Sequence, residues 1–208
     1  NHGKASFVFK ASKNKNISSL FQPFHFIDFS CKFNPDKKLN LANSPELLFP
    51  IMDIIRDVRK TGYALLLTET LQKTIHQYDA NEALYKELQK MIVSFEYQDF
   101  NPAFGVFFIK ELQKLIGIQP INNYSNECPY FNLSESRFSS VKDGFVEENF
   151  PHKIFSQLLG MKIDDVFNVK IITNHRRAIM DLLIYYLQYH GHISHVRINS
   201  IKILQSLY

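Results

Sequence analysis

"PFHFIDFSCKF", residues 23–33, decides how the first part of the chain folds. Phe24 and Phe26 share one face of an extended chain, because alternate residues of a strand point the same way. Ile27, Phe29, Cys31 and Phe33 then carry the apolar character on the opposite phase. A phase switch inside one strand requires an extra residue, so a β-bulge is predicted near Phe26–Ile27. Bulges bend strands, and small closed barrels are built from bent strands. Upstream, "ASFVFK" (5–10) alternates, with Ala5, Phe7 and Phe9 on one face and Ser6, Val8 and Lys10 on the other. "KASKNKN" (10–16) and "NPDKK" (34–38) read as polar turns, and "LNLA" (39–42) as a further short strand. The fold class is therefore α+β: a small β-barrel over residues 1–49, then a helical domain over 50–208 with an insert at about 118–150.

Past "NSPELLFP" (43–50) the apolar period lengthens from 2 to 3.6. Ile51, Ile54, Ile55, Val58, Gly62, Leu65 and Leu66 predict a helix over 51–77, and Leu84, Leu88, Met91, Ile92 and Phe95 a second over 80–95. Asn101 is a good cap and Pro102 a good first helical residue. They open a third helix that buries Phe104, Phe107, Phe108, Leu112 and Leu115 and stops at Gly117. Periodicity fades over 118–150, where "YFNL" and "RFSSV" around Ser134-Glu135-Ser136 predict a hairpin. Helices resume at "HKIFSQLLG" (152–160). Thr173 is the predicted cap of a long helix with Ile179, Leu183, Tyr186 and Leu187 inside, ended by Gly191. "SIKILQSL" (200–207) predicts a short terminal helix.

A composition that is 45% hydrophobic over 208 residues, with 19 Phe, supplies enough apolar surface for one or two cores. The net charge of +4 is modest, but its placement is informative. Residues 1–27 hold Lys4, Lys10, Lys13 and Lys15 and no acid, so the 20 remaining basic residues meet 20 acidic ones in the rest of the chain. Excess charge confined to one end points to a polyanion. The plainer alternative is a solvated lysine loop. No run approaches the ~18 apolar residues of a membrane span. The opening lacks both a signal-peptide layout and an initiator Met and begins almost inside a strand, so the native chain is expected to start earlier. Cys31 and Cys128 form no Cys-x-x-Cys, which argues against a disulfide framework or a zinc ribbon and suits a reducing cytoplasm.

Catalytic signatures do not emerge. Seven glycines are too sparse for a phosphate-cradling loop, and neither Gly-x-Ser-x-Gly nor His-Glu-x-x-His occurs. An enzyme reading therefore has no motif behind it. His190, His192 and His195 could serve zinc, but no nearby Cys, Asp or Glu completes a shell, and His190 ends a helix, where an imidazolium is favoured. A helix-ending loop is the preferred reading of that cluster. Lysines and aromatic rings at the end of a small barrel fit an oligonucleotide-binding (OB) barrel. The candidate DNA-binding residues are Lys4, Lys10, Lys13 and Lys15, with Lys37 and Lys38 in a second loop. Phe7 and Phe9 are candidates for base stacking but are better explained as core. In the helical domain, Arg176 and Arg177 occupy a first helical turn, against the dipole, so either an acidic partner or a salt bridge to Asp181 is expected. Lys110 and Lys114 lie one turn apart beside the Phe-rich stripe. A basic rim round an apolar pocket would suit an acidic peptide with an aromatic end.

Three segments carry a family resemblance. "GKASFVFKASKNKN" (3–16) followed by "FQPFHFIDF" (21–29) resembles the OB domain of the bacterial recombination mediator family RecO. "KELQKLIGIQP" (110–120) is similar to that family's helix ending in a Leu-x-Gly-aromatic/aliphatic-x-Pro turn. "YYLQYH" (185–190) and "INSIKILQSLY" (198–208) resemble its C-terminal helices in the Bacteroidetes-type branch. The resemblance implies a non-enzymatic DNA repair protein of the cytoplasm and nucleoid, without a cofactor. It implies binding of single- and double-stranded DNA, strand annealing, partnership with RecR, and capture of the acidic, Phe-ending tail of single-stranded DNA-binding protein. These activities would help load RecA onto coated strands. Two departures stand out. Many members carry a four-Cys zinc ribbon in the insert, whereas Cys128 stands alone here, so the hairpin is expected to hold itself by pairing and packing. The family also has barrel sequence before Gly3. The rival expectation is a protein-interaction adaptor that does not bind DNA and whose helical domain captures acidic tails.

Overall fold

Three strands make one sheet: β1 (Phe7–Phe9), β2 (Phe26–Cys31) and β3 (Asn40–Phe49), in the order β1-β3-β2. The protein is described here from a computed structural model, over residues 3–9, 17–75, 80–191, 198 and 200. β2 runs antiparallel to β3, and its register jumps between Phe26 and Ile27, where the bulge was predicted. A second jump falls between Asp28 and Ser30. There Phe29 faces both Ser44 and Pro45, and Ser44 takes the left-handed region with φ 51°. β3 is thus far longer than "LNLA" alone, because the strand resumes beyond a polar, proline-containing interruption. β1 pairs parallel to β3, with Phe7 opposite Asn40 and Phe9 opposite Ala42. Among the described residues the sheet does not close into a barrel.

One face of this sheet carries an aromatic cluster. Phe7 meets Phe29 edge-on at 4.7 Å, and Phe9 lies 4.8 Å from Phe21 and 5.3 Å from Phe29. Both rings pack into this cluster and are half-buried. Val8 and Leu41, paired on the opposite face, are exposed.

The chain divides into two compact units, residues 1–85 with 197–208, and residues 86–196. The first unit takes in α1 (Asp53–Arg56) and α2 (Val58–Thr74) besides the sheet, so the strand-to-helix change expected near residue 50 falls inside it. The single helix expected over 51–77 is two, because Asp57 adopts an extended conformation between them. Its carboxylate accepts the Arg59 N–H at 2.9 Å and binds the Arg59 guanidinium at 2.6 Å, capping α2. Ile51, Ile54, Tyr63, Leu66 and Leu67 fill the core beneath.

The helices of the second unit are α3 (Glu82–Tyr97), which begins just before its boundary, α4 (Ala103–Leu115), α5 (His152–Gly160), α6 (Ile163–Val166) and α7 (Thr173–Tyr189). The Asn101 carboxamide caps α4 through the Ala103 N–H at 2.9 Å and donates to Phe167 O and Val169 O. From Ala103 to Lys110 every residue of α4 is buried, the mark of a central helix. Gly117, at φ 82°, closes it, and the Ile118 N–H returns to Gln113 O. Thr173 proves to be the first residue of α7 rather than its cap. Ile172 precedes it and no side chain caps that end.

The predicted hairpin is present as β4 (Tyr130–Asn132) and β5 (Arg137–Ser139), with Phe131 opposite Phe138. Phe131 packs edge-on against Phe138 at 5.4 Å and Phe155 at 5.0 Å, so pairing and aromatic packing hold the insert. Among the described residues no helix is long and apolar enough to cross a membrane.

Candidate functional site

The predicted site residues that the structure describes fall in both units, and only some of them come together. In the first unit, Lys37 and Lys38 are exposed in the turn between β2 and β3. That turn is built by Asn34, whose side chain accepts the Asp36 N–H, and by buried Asn40, whose carboxamide exchanges hydrogen bonds with the Asn34 backbone. Lys32, exposed immediately after β2, joins them. Phe9 lies opposite Ala42, four residues past Lys38, so the chain leaves β1 within about 13 Å of this turn at ~3.3 Å per residue. Lys10, Lys13 and Lys15 lie outside the described residues. Lys4 has a task of its own: its ammonium donates to Gln72 O and, at 2.9 Å, to Ile75 O, closing the C-terminal end of α2. A cation suits that end of a helix dipole. Of three ammonium protons, two are engaged there.

The second unit contains a cleft of about 370 Å³ between α3, α4 and residues 159–164. Met91, Phe107, Leu159, Met161 and Ile163 contribute the apolar part of its lining. Lys90, Lys114 and Lys162 stand round it as cations, and Glu87, Glu111 and Asp164 as anions. The sequence-predicted pair Lys110 and Lys114 both line this cleft, but differently. The Lys114 side chain is 58% exposed and lies 3.8 Å from Glu111, whereas the Lys110 side chain is 4% exposed. Lys110 binds the Glu111 carboxylate, donates to Met161 O at 3.0 Å and lies 4.5 Å from the Phe107 ring centre. Burial pushes its ammonium below the usual lysine range, and Glu111 opposes that shift. Lys110 is therefore floor, not rim. Lys90 and Lys162 were missed because neither follows an apolar period. Lys162 lies in the connection between α5 and α6, and only the tertiary fold brings it to α4.

Arg176 and Arg177 do not join this cleft. Arg176 donates to the carbonyl of Ile171, just before α7. Arg177 lowers the Asp181 carboxyl, against the larger upward effects of burial and of Glu147. His190 ends α7 and its Nε2 lies 3.3 Å from Ser136 Oγ, while His192 and His195 lie outside the described residues. No metal-binding cluster of three or more ligands exists among the described residues.

Comparison with known proteins agrees with this architecture. The family model described as "Recombination protein O C terminal" matches residues 55–196, more than half of the chain. The chain is 24% identical to the DNA repair protein RecO of Flavobacterium psychrophilum over 88% of its own length and 76% of that protein. It is 28% identical to the RecO of Bacteroides fragilis over 67% of its own length and 60% of that protein. The RecO of Azobacteroides pseudotrichonymphae is 22% identical over 96% and 84%. A helical unit with this cleft, preceded by a bulged sheet, and a family match spanning that whole unit lead to one assignment: the chain belongs to the RecO family of bacterial DNA repair proteins.

Proposed function

We propose that the chain is a non-enzymatic recombination mediator that binds single- and double-stranded DNA with the lysines of its first unit and anneals complementary strands. On this reading it works with RecR, takes the acidic, Phe-ending tail of single-stranded DNA-binding protein in the cleft, and helps load RecA onto strands which that protein coats. It would act in the cytoplasm, at the nucleoid. The observation that carries the reading is the placement of charge. Family membership makes DNA the expected polyanion, and the whole net charge of +4 resides in residues 1–27.

A fluorescence-anisotropy titration with a single-stranded oligonucleotide tests it. If about four lysines each neutralise one phosphate, log K falls against log salt with a slope of about −3. Binding then weakens roughly fifty-fold between 50 and 200 mM salt. A slope near zero sinks the assignment. The adaptor reading is favoured by the cleft, where apolar side chains lie among Lys90, Lys114 and Lys162 and could take an acidic tail without any DNA, although Glu87, Glu111 and Asp164 share the rim. Titration of an acidic, Phe-terminated peptide in the absence of DNA separates the two.

A further inference from the structure

We infer that Lys110 is a positioning residue: it ties the connection between α5 and α6 to α4, and so holds one wall of the cleft at the distance a ligand needs. The ligand-facing cations are then Lys90, Lys114 and Lys162. The inference rests on the cleft being the peptide site proposed above, but it also makes a claim about the protein without ligand.

The geometry is specific. An ammonium has three protons to donate. Here the Glu111 carboxylate and Met161 O take two, and the Phe107 ring lies against the same ammonium, so little of it remains for a peptide. A charge this deeply buried is tolerated only with such partners. Met161 and Lys162 both have extended backbone, between the end of α5 and the start of α6. Their local restraints include the Met161 N–H to Leu158 O, the Lys162 N–H to Asp165 and the Asp165 N–H to Lys162 O. The bond from Lys110, which spans 51 positions, ties this connection to α4 beside the packing of α6 on the same helix. Residues 159–164 supply the wall facing α3 and α4, so loosening them reshapes the cleft while Lys90 and Lys114 keep their places at its mouth and Lys162 keeps its charge.

Two measurements test this on the full chain. The first is stopped-flow binding of a fluorescein-labelled acidic decapeptide with a free C-terminal Phe. Lys114→Met and Lys162→Met are expected to slow association several-fold and flatten its salt dependence, as exposed rim charges do. Lys110→Met is expected to leave association and its salt dependence unchanged and to speed dissociation tenfold or more. The second is amide hydrogen exchange without peptide. Lys110→Met should speed exchange at residues 161–163 about tenfold, while Lys114→Met and Lys162→Met leave it unchanged. Glu111→Gln keeps the volume and weakens the tie, so it should move exchange in the same direction, and it carries the test if Lys110→Met does not fold. Slower association with a flattened salt dependence in Lys110→Met would overturn the inference. So would unchanged exchange at 161–163 in the folded variants. If the unaltered protein binds no peptide, the peptide-site reading fails, and hydrogen exchange still decides the role of Lys110.

Discussion

Ser200 gives both its backbone N–H, at 2.9 Å, and its hydroxyl, at 2.6 Å, to a single oxygen of Glu69, Oε2, across 131 positions of sequence. The other oxygen of Glu69 takes the Lys73 ammonium at 2.7 Å, one turn further along α2. One carboxylate thus fastens Ser200 to α2 within the first unit. Hydrogen bonds to a charged group contribute about 1.5–3 kcal/mol. Replacing Glu69 with Ala is expected to lower the stability of the first unit by about 2–3 kcal/mol in urea unfolding, and Gln by less. An unchanged midpoint for Ala would mean that the bonds from Ser200 to Glu69 do not stabilise the first unit.

Lysines that look alike in sequence should separate by experiment. Lys4 closes the end of α2, so Lys4→Ala should cost about 1 kcal/mol of stability. The triple change of Lys10, Lys13 and Lys15 to Ala should leave the thermal midpoint within about a degree and flatten the salt slope of DNA binding by about 2. If instead Lys4→Ala flattens the slope at full stability, the roles assigned to these residues are reversed.

Where apolar period and backbone conformation agree, the elements were readable in advance. The phase switch after Phe26 gave the bulge, Asn101 and Gly117 marked the ends of α4, and Ser134-Glu135-Ser136 marked the hairpin turn. The length of β3 was not readable, because Asn43-Ser44-Pro45 has the composition of a turn and becomes part of a strand only opposite the irregular pairing of β2. The break at Asp57 was hidden for the opposite reason. Val58 and Ile55 continue the apolar period across it, and only the side-chain bond from Asp57 to Arg59 shows that a new helix begins. In the cleft, local spacing found Lys110 and Lys114 but could not tell floor from rim. That distinction depends on the carbonyl of Met161, which arrives from a different helix.

Asp57 links that break to pH. The Arg59 hydrogen bond holds its carboxyl at about 2, below the ordinary value of 3.8. The folded value is the lower one, so its contribution is complete above pH 3.8 and is lost as pH falls towards 2. Asp57→Ala removes a helix cap and should cost about 1 kcal/mol at pH 7. The deficit relative to the unaltered protein should shrink below pH 3.8, as read from urea midpoints. A deficit that stays constant down to pH 2.5 would show that the charge of Asp57 is not what stabilises α2.

His152 offers the corresponding test in the second unit. Its Nδ1 accepts the Phe131 N–H at 2.9 Å, tying β4 to the start of α5 and leaving the ring proton on Nε2. The ring is flanked by Tyr130 and Phe150, and Lys142 is the charged group that acts on it. Burial first, and Lys142 second, push its pKa below the ordinary 6.5. The neutral ring is therefore the form that stabilises the fold. The contribution is complete above pH 6.5 and declines as pH falls through the folded value, where protonation takes away the acceptor that Phe131 needs. His152→Leu keeps the bulk and loses the acceptor, which should cost about 1 kcal/mol or more at pH 7.5. The gap between the unaltered protein and this variant should narrow between pH 6.5 and 5, followed by thermal unfolding. A gap of the same size at both ends of the range would mean that the hairpin is held by Phe131, Phe138 and Phe155 alone, with His152 only filling space beside them.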